Sequence, residues 1–139
     1  MFNVEEYIRS LPGAKQNPDG SWNVVGDVYL YNKGLTSLQI RFRKVTGHFD
    51  CSYNQLTTLA GAPQEVGGVF YCYHNQLTTL EGAPQEVGGD FYCSYNQLKN
   101  FKGKPKHIGG KFVYDNNPMD QLMQPGSEND DIDQIINGF

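Results

Sequence analysis

The chain has 139 residues, with 11 Lys+Arg against 15 Asp+Glu and a formal net charge of −4. That length fits one domain or one solenoid. The acidic balance argues against non-specific binding to a polyanion, whose affinity comes from counterions released by an overall basic field. No apolar run reaches the roughly 18 residues a membrane span needs, so no membrane association is expected. The opening Met1-Phe2-Asn3-Val4-Glu5-Glu6 has neither the basic nor the apolar region of a secretory signal. Three Cys, an odd number, argue against a disulfide framework and for a reducing compartment. A cytoplasmic protein is expected.

In chain order, Asn3 followed by Val4, Tyr7, Ile8 and Leu11 at helical spacing predicts a short capped amphipathic helix. Asn17-Pro18-Asp19-Gly20 predicts a turn into Ser21-Trp22-Asn23. Residues 1–23 are therefore expected to cap the open edge of the segment that begins at Val24.

From Val24 onward the chain repeats. Val24, Val45, Val66, Val87 and Ile108 fall 21 residues apart. Four residues on come Val28, Phe49, Phe70, Phe91 and Phe112, then Leu30, Cys51, Cys72, Cys93 and Tyr114. Asn54, Asn75, Asn96 and Asn117 form the next column, with Lys33 as the odd member. Leu35, Leu56, Leu77, Leu98 and Met119 come next, then Leu38, Leu59, Leu80, Phe101 and Leu122. Pro63, Pro84 and Pro105 suit an extended return segment with no room for a long helix. Five repeats are expected over 24–122, stacking their apolar faces into one core. Phe-x-Cys has the period of two of a strand. The Asn column predicts a buried amide that satisfies backbone groups where the chain turns inward. The Gly-Gly pairs predict either tight backbone approach or positive φ.

Written out, the unit V-x-G-x-F-x-C-x-x-N-x-L-x-x-L-x-G-x-P resembles the leucine-rich repeat, whose core reads L-x-x-L-x-L-x-x-N-x-L. More narrowly it resembles the short Pro-containing repeats of bacterial effectors, with one extra residue from the second Gly of Gly67-Gly68 or Gly88-Gly89. It is also similar to small repeat proteins of bacterial and phage genomes that carry Gly-Gly-Asp-Phe-Tyr-Cys, here 88–93. The resemblance covers about 24–122. It implies a leucine-rich repeat solenoid with a parallel β-sheet on the concave face, a mostly irregular or extended convex face, and short helical caps at both ends. It implies binding in general, and a host or bacterial regulatory or defence protein as the partner to be inhibited or scaffolded.

Beyond the repeats, Ser127 precedes an acidic first turn (Glu128, Asp130, Asp131), with Ile132, Ile135, Ile136 and Phe139 on one face. Residues 123–139 are expected to form an acidic amphipathic tail, either a second cap or a partner-binding helix. An uncovered terminal coil would instead allow a homodimer.

Candidate functional residues are those in the strand that do not point into the core. The outward columns are Asp27, His48, Val69, Asp90 and Lys111; Tyr29, Asp50, Tyr71, Tyr92 and Val113; Tyr31, Ser52, Tyr73, Ser94 and Asp115; and Asn32, Tyr53, His74, Tyr95 and Asn116. Seven of the nine tyrosines fall in them. Tyrosine gives large, rigid contact area at low entropic cost, as binding surfaces require, although it also simply favours strands. The expected partner-binding set is Tyr29, Tyr31, Asp50, Tyr53, Tyr71, Tyr73, His74, Asp90, Tyr92 and Tyr95, and the expected partner is another protein. Lys99, Lys102, Lys104, Lys106 and Lys111 form a candidate basic edge. With the tyrosines it would suit a nucleotide, a signalling molecule or single-stranded nucleic acid, a reading the net acidic charge disfavours. His48 with Asp50, and His74 near Asp90, lack a nucleophile, metal set or oxyanion device, so no enzyme is expected. Cys51, Cys72 and Cys93 stack in a line and cannot surround one tetrahedral ion. No metal or cofactor is expected.

Overall fold

The computed structural model describes residues 1–119. The expected tail at 123–139 and the end of the fifth repeat lie outside the described residues. Within them the chain winds as a parallel β-solenoid with one short helix, α1 (Val4–Arg9), and eleven strands. In chain order these are β1 (Ala14–Gln16), β2 (Trp22–Val24), β3 (Val28–Tyr29), β4 (Phe42–Val45), β5 (Phe49–Asp50), β6 (Glu65–Val66), β7 (Phe70–Tyr71), β8 (Glu86–Val87), β9 (Phe91–Tyr92), β10 (His107–Ile108) and β11 (Phe112–Val113).

The strands segregate into two sheets. β3, β5, β7, β9 and β11 form a five-stranded parallel sheet in sequence order. Its register repeats without a slip: Phe49 pairs with Phe70, Phe70 with Phe91, and Phe91 with Phe112. The return segments were expected to be mostly irregular or extended, and 51–64 and 72–85 contain neither helix nor strand. The two residues that close each return nevertheless pair with the coils on either side. They build a second sheet, ordered β1-β2-β4-β6-β8-β10, that the repeat alone did not predict. All its pairings are parallel except β1 with β2, which is antiparallel.

The core lies between the sheets and is built from the expected columns. Phe49, Phe70 and Phe91 are fully buried, as are Cys51, Cys72 and Cys93 and the leucines at 56, 59, 77, 80 and 98. The Phe rings stack along the axis, with centroids 5.5 Å apart for Phe49–Phe70 and 5.2 Å for Phe70–Phe91. Burial pushes the Cys51 and Cys72 thiols far above their usual pKa, so they pack as small neutral side chains.

The Asn column does what the sequence predicts. Asn75 Oδ1 accepts from the Leu56 N–H (2.9 Å), while its Nδ2 donates to the carbonyls of Cys51 (3.0 Å) and Cys72 (3.1 Å). Asn96 repeats the pattern one coil on, with Leu77, Cys72 and Cys93. In the first coil, where Lys33 replaces Asn, the Lys33 and Leu35 amides both donate to Asn54 of the next coil. Each amide therefore ties two coils together at a buried corner.

The Gly-Gly pairs are required by close approach, not by positive φ. A Cβ on Gly67 would lie 2.2 Å from the Thr46 carbonyl oxygen, and one on Gly88 would lie 2.3 Å from that of Gly67. Left-handed glycines occur elsewhere, at Gly61, Gly82 and Gly103 just before the Ala/Lys-Pro steps.

At the N-terminal end, Asn3 Oδ1 accepts from the Glu6 N–H (2.9 Å) and starts α1. Val4 and Ile8 of α1 enter the core. The Tyr7 hydroxyl accepts from the Tyr29 N–H (3.1 Å), a donor on the outer edge of β3. No helix among the described residues is long and apolar enough to cross a membrane.

Candidate binding face

The outer surface of the five-stranded sheet is built by strand alternation. In β3 the Val28 side chain is buried and Tyr29 is exposed; in β7, Phe70 is buried and Tyr71 is partly exposed. None of the seven column tyrosines belongs to the core cluster, whereas Tyr114, in the inward Cys column, packs against it. Tyr29, Tyr31, Tyr53 and Tyr95 are about half exposed (46–53%).

These rings do not stand independently. Tyr71 and Tyr92 stack at 5.4 Å with planes 5° apart. Tyr53, His74 and Tyr95 form a second ladder, at 4.4 Å and 4.3 Å between centroids. This second ladder rests on an unusual backbone. Asn32, Tyr53, His74, Tyr95 and Asn116 all have φ between 52° and 59°. That left-handed corner comes three residues past the end of the strand and turns the chain inward so that the next residue, a buried Asn at 54, 75, 96 and 117, can reach the core; in the first coil that residue is Lys33. Asn tolerates such a corner, whereas aromatic residues adopt it under strain. Stacking of the three rings offsets part of that strain. Tyr73 leans edge-on against Tyr53, with centroids 5.2 Å apart.

Four aspartates are threaded among the rings. Asp27 accepts the Tyr29 hydroxyl (3.2 Å) and the His48 N–H (2.7 Å). Asp90 accepts the Tyr92 hydroxyl (3.1 Å) and the Lys111 N–H (2.7 Å). Asp115 accepts from Ser94 Oγ and Asn116 Nδ2. Asp50 accepts both the N–H and the hydroxyl of Ser52 on a single oxygen, Oδ1. These bonds hold Asp90 and Asp115 below the usual carboxylate pKa; the Lys111 amide is the main cause for Asp90 and the Ser94 hydroxyl for Asp115. Ser52 and Ser94, placed in an outward column by the sequence, are buried. Their short side chains turn to the neighbouring carboxylates and are covered by larger neighbours.

The expected basic edge does not gather beside the tyrosines. Lys99, Lys102, Lys104 and Lys106 lie on the return segment of the fourth repeat, between Leu98 and β10. Lys102 pairs with Glu81 (3.5 Å), and Lys104 sits 5.3 Å above the Phe112 ring. Only Lys111 belongs to a column of the aromatic sheet. The acid–base pairs have structural uses. His48 Nδ1 accepts from the Val69 N–H (2.9 Å), which commits that nitrogen to the backbone. His74 lies between two tyrosine rings rather than against Asp90. Among the described residues, no group of three or more His, Cys, Asp or Glu side chains is placed to hold a metal ion.

The sequence reading missed the use of Asp27 and Asp90 as anchors for tyrosine hydroxyls. The signal was present as Asp-x-Tyr, at 27–29 and again at 90–92, since residues two apart in a strand share a face. Comparison with family models, curated proteins and solved structures returns no match to this chain.

Proposed function

We propose that this chain is a non-enzymatic protein-binding module, a leucine-rich-type solenoid whose tyrosine-rich concave face grips a partner protein. In this reading 24–122 form the repeats, 1–23 cap the first coil, and 123–139 cap the other end or contact a partner. The resemblance to bacterial and phage repeat proteins suggests that the partner is a host or bacterial regulatory or defence protein, which the chain inhibits or scaffolds in the cytoplasm.

One observation carries the reading: seven tyrosines and His74 sit outside the core on one face, and Tyr53, Tyr71, Tyr92 and Tyr95 with His74 form preformed ring ladders. Pre-stacked rings lose little side-chain entropy on binding, which lowers the cost of forming an interface. The same ladders weigh against stacking of nucleotides or single-stranded nucleic acid. The ring faces within each ladder are already occupied by one another, and four aspartates face a single lysine there. The test is the triple variant Tyr71→Ser, Tyr73→Ser, Tyr92→Ser, with its fold checked by circular dichroism. Proteins retained from bacterial lysate by the parent chain are expected to be lost. Unchanged capture by a folded triple variant overturns the proposal.

A further inference from the structure

Along the column that runs through the strand centres, the residues are Tyr29, Asp50, Tyr71, Tyr92 and Val113 in register, so an aspartate interrupts the run of tyrosines at the second coil. Tyr71 stacks on Tyr92 on one side. On its other side the column holds Asp50 rather than a ring, with the His48 imidazole edge-on to Tyr71 at 6.5 Å; beyond Asp50 stands Tyr29, which stacks on no other ring among the described residues. Asp50 is thus the floor of a slot with a tyrosine on each wall. Parallel strands lie about 4.8 Å apart, so the walls rise from strands about 9.6 Å apart.

The carboxylates of the face are not equivalent. Asp27, Asp90 and Asp115 each use both oxygens within the protein. Asp50 uses only Oδ1; its Oδ2 accepts no hydrogen bond from the described residues and forms no ion pair. The Ser52 amide and hydroxyl fix the carboxylate while leaving that oxygen open. The surrounding field is negative. Of the 11 Lys and Arg in the chain, Lys111 alone belongs to the face columns, against the four aspartates.

We infer that the slot between Tyr29 and Tyr71 receives an arginine side chain of the partner protein, its guanidinium layered between the two rings and bonded to Asp50. This rests on the protein-binding reading and adds the chemistry the partner must present. A guanidinium is planar, always charged, and stacks on aromatic faces while donating to a carboxylate. Stacking at about 3.5–4.0 Å on each side needs rings about 7–8 Å apart, and a modest inward tilt of the exposed Tyr29 supplies the difference. A lysine ammonium has the charge without the plane. A phosphate or acidic segment meets repulsion.

The test uses the full chain and three fluorescent octapeptides, alternating Gly with Arg, with Lys, or with the neutral isostere citrulline. At low salt the Arg peptide is expected to bind and to shift the Tyr29 and Tyr71 ring resonances, with citrulline at least about tenfold weaker and Lys in between. Asp50→Asn should weaken the Arg peptide about fivefold, while Asp115→Asn, on the same face with both oxygens already engaged, should change it less than twofold. Citrulline binding as well as Arg overturns the inference without any variant being needed. So does an equal loss from Asp50→Asn and Asp115→Asn, which would indicate only a diffuse negative field. If partner capture is abolished by the tyrosine-to-serine variant but unaffected by Asp50→Asn, the face stands and the arginine slot falls. If the Arg peptide obeys Asp50 while capture ignores the tyrosines, the slot is real and the protein-binding reading falls.

Discussion

At each buried corner a single side-chain amide serves backbone groups of two coils, so the asparagines hold the stack together at the residue scale. Asn75 is the plainest case, with its acceptor on Leu56 and its donors on Cys51 and Cys72. Asn75→Ala removes one accepted bond and the Nδ2 donors to three carbonyls, the longest to Tyr73 at 3.4 Å, where water has little access. The expected loss is about 2–3 kcal/mol, against about 0.5 kcal/mol or less for the exposed neighbour Gln76→Ala. Urea unfolding of both variants measures the difference, and equal midpoints would refute the role given to the amide. The tyrosines make a second prediction at this scale. Tyr29 and Tyr71 are held above the usual phenol pKa of 10.0, chiefly by desolvation, with the Asp27 bond adding to Tyr29 and the Asp50 charge to Tyr71. Tyr92 is held above it chiefly by its bond to Asp90. A pKa raised in the folded chain means the folded state keeps a proton that the unfolded state gives up. The associated stability is therefore complete below pH 10 and declines as pH rises beyond it. Tyrosinate absorbance should show part of the folded protein's phenols titrating later than in urea. Superimposable curves would show that neither burial nor the carboxylates hold these phenols.

The elements are very short, with most strands only two residues long, and what each coil lacks in length it recovers by stacking in constant register. The inward columns were legible because the period carries them: Phe, Cys, Asn and Leu recur with identical spacing and are buried in the middle coils. The second sheet was less legible. Glu65–Val66 and Glu86–Val87 are too brief for alternation to show, and their pairing is set by the first sheet's register rather than by any local preference. The left-handed corner was also hidden, because Tyr, His and Tyr occupy it in the middle coils where Asn at 32 and 116 would have signalled it. The Gly-Gly turns allowed two alternatives from sequence, and their structure is that of close approach. Two glycines separate the causes. Gly88→Ala drives a Cβ against the backbone oxygen of the coil below, which cannot yield without separating the coils, and a cost of about 2 kcal/mol or more is expected. Gly34 has φ of +69° and open space around its missing Cβ, so Gly34→Ala should cost only the left-handed strain, about 1 kcal/mol. Thermal melts that rank the two the other way would mean the turn is not packed as described.

Across the whole molecule the candidate site arises from the same winding that makes the core. A coil that sends Phe inward sends its neighbour outward, and five repetitions turn one exposed residue into a column. The sequence therefore made the tyrosine face legible. It did not show the Asp50 slot, which depends on which oxygens the neighbouring side chains occupy, nor the dispersal of the lysines, four of which lie on a return segment. A solenoid also leaves two edges per sheet, and unpaired edges recruit other chains. At the N-terminal end, β1 occupies the outer edge of β2, and the Tyr7 hydroxyl occupies the Tyr29 N–H on the edge of β3. If residues 1–23 act as the proposed cap, deleting 1–16 removes both protections at once while leaving every repeat intact. The truncated chain is expected to associate through the exposed edges of β2 and β3, with an apparent mass in light scattering that rises with concentration. Val4 and Ile8 also leave the core, so some destabilisation is expected in any case and does not by itself test the edge argument. Adding back a peptide of residues 1–16 should reverse the association if the edges cause it. A truncated chain that shows no more association than the full chain at the same concentration would show that the open edges are harmless and that the N-terminal segment contributes only packing.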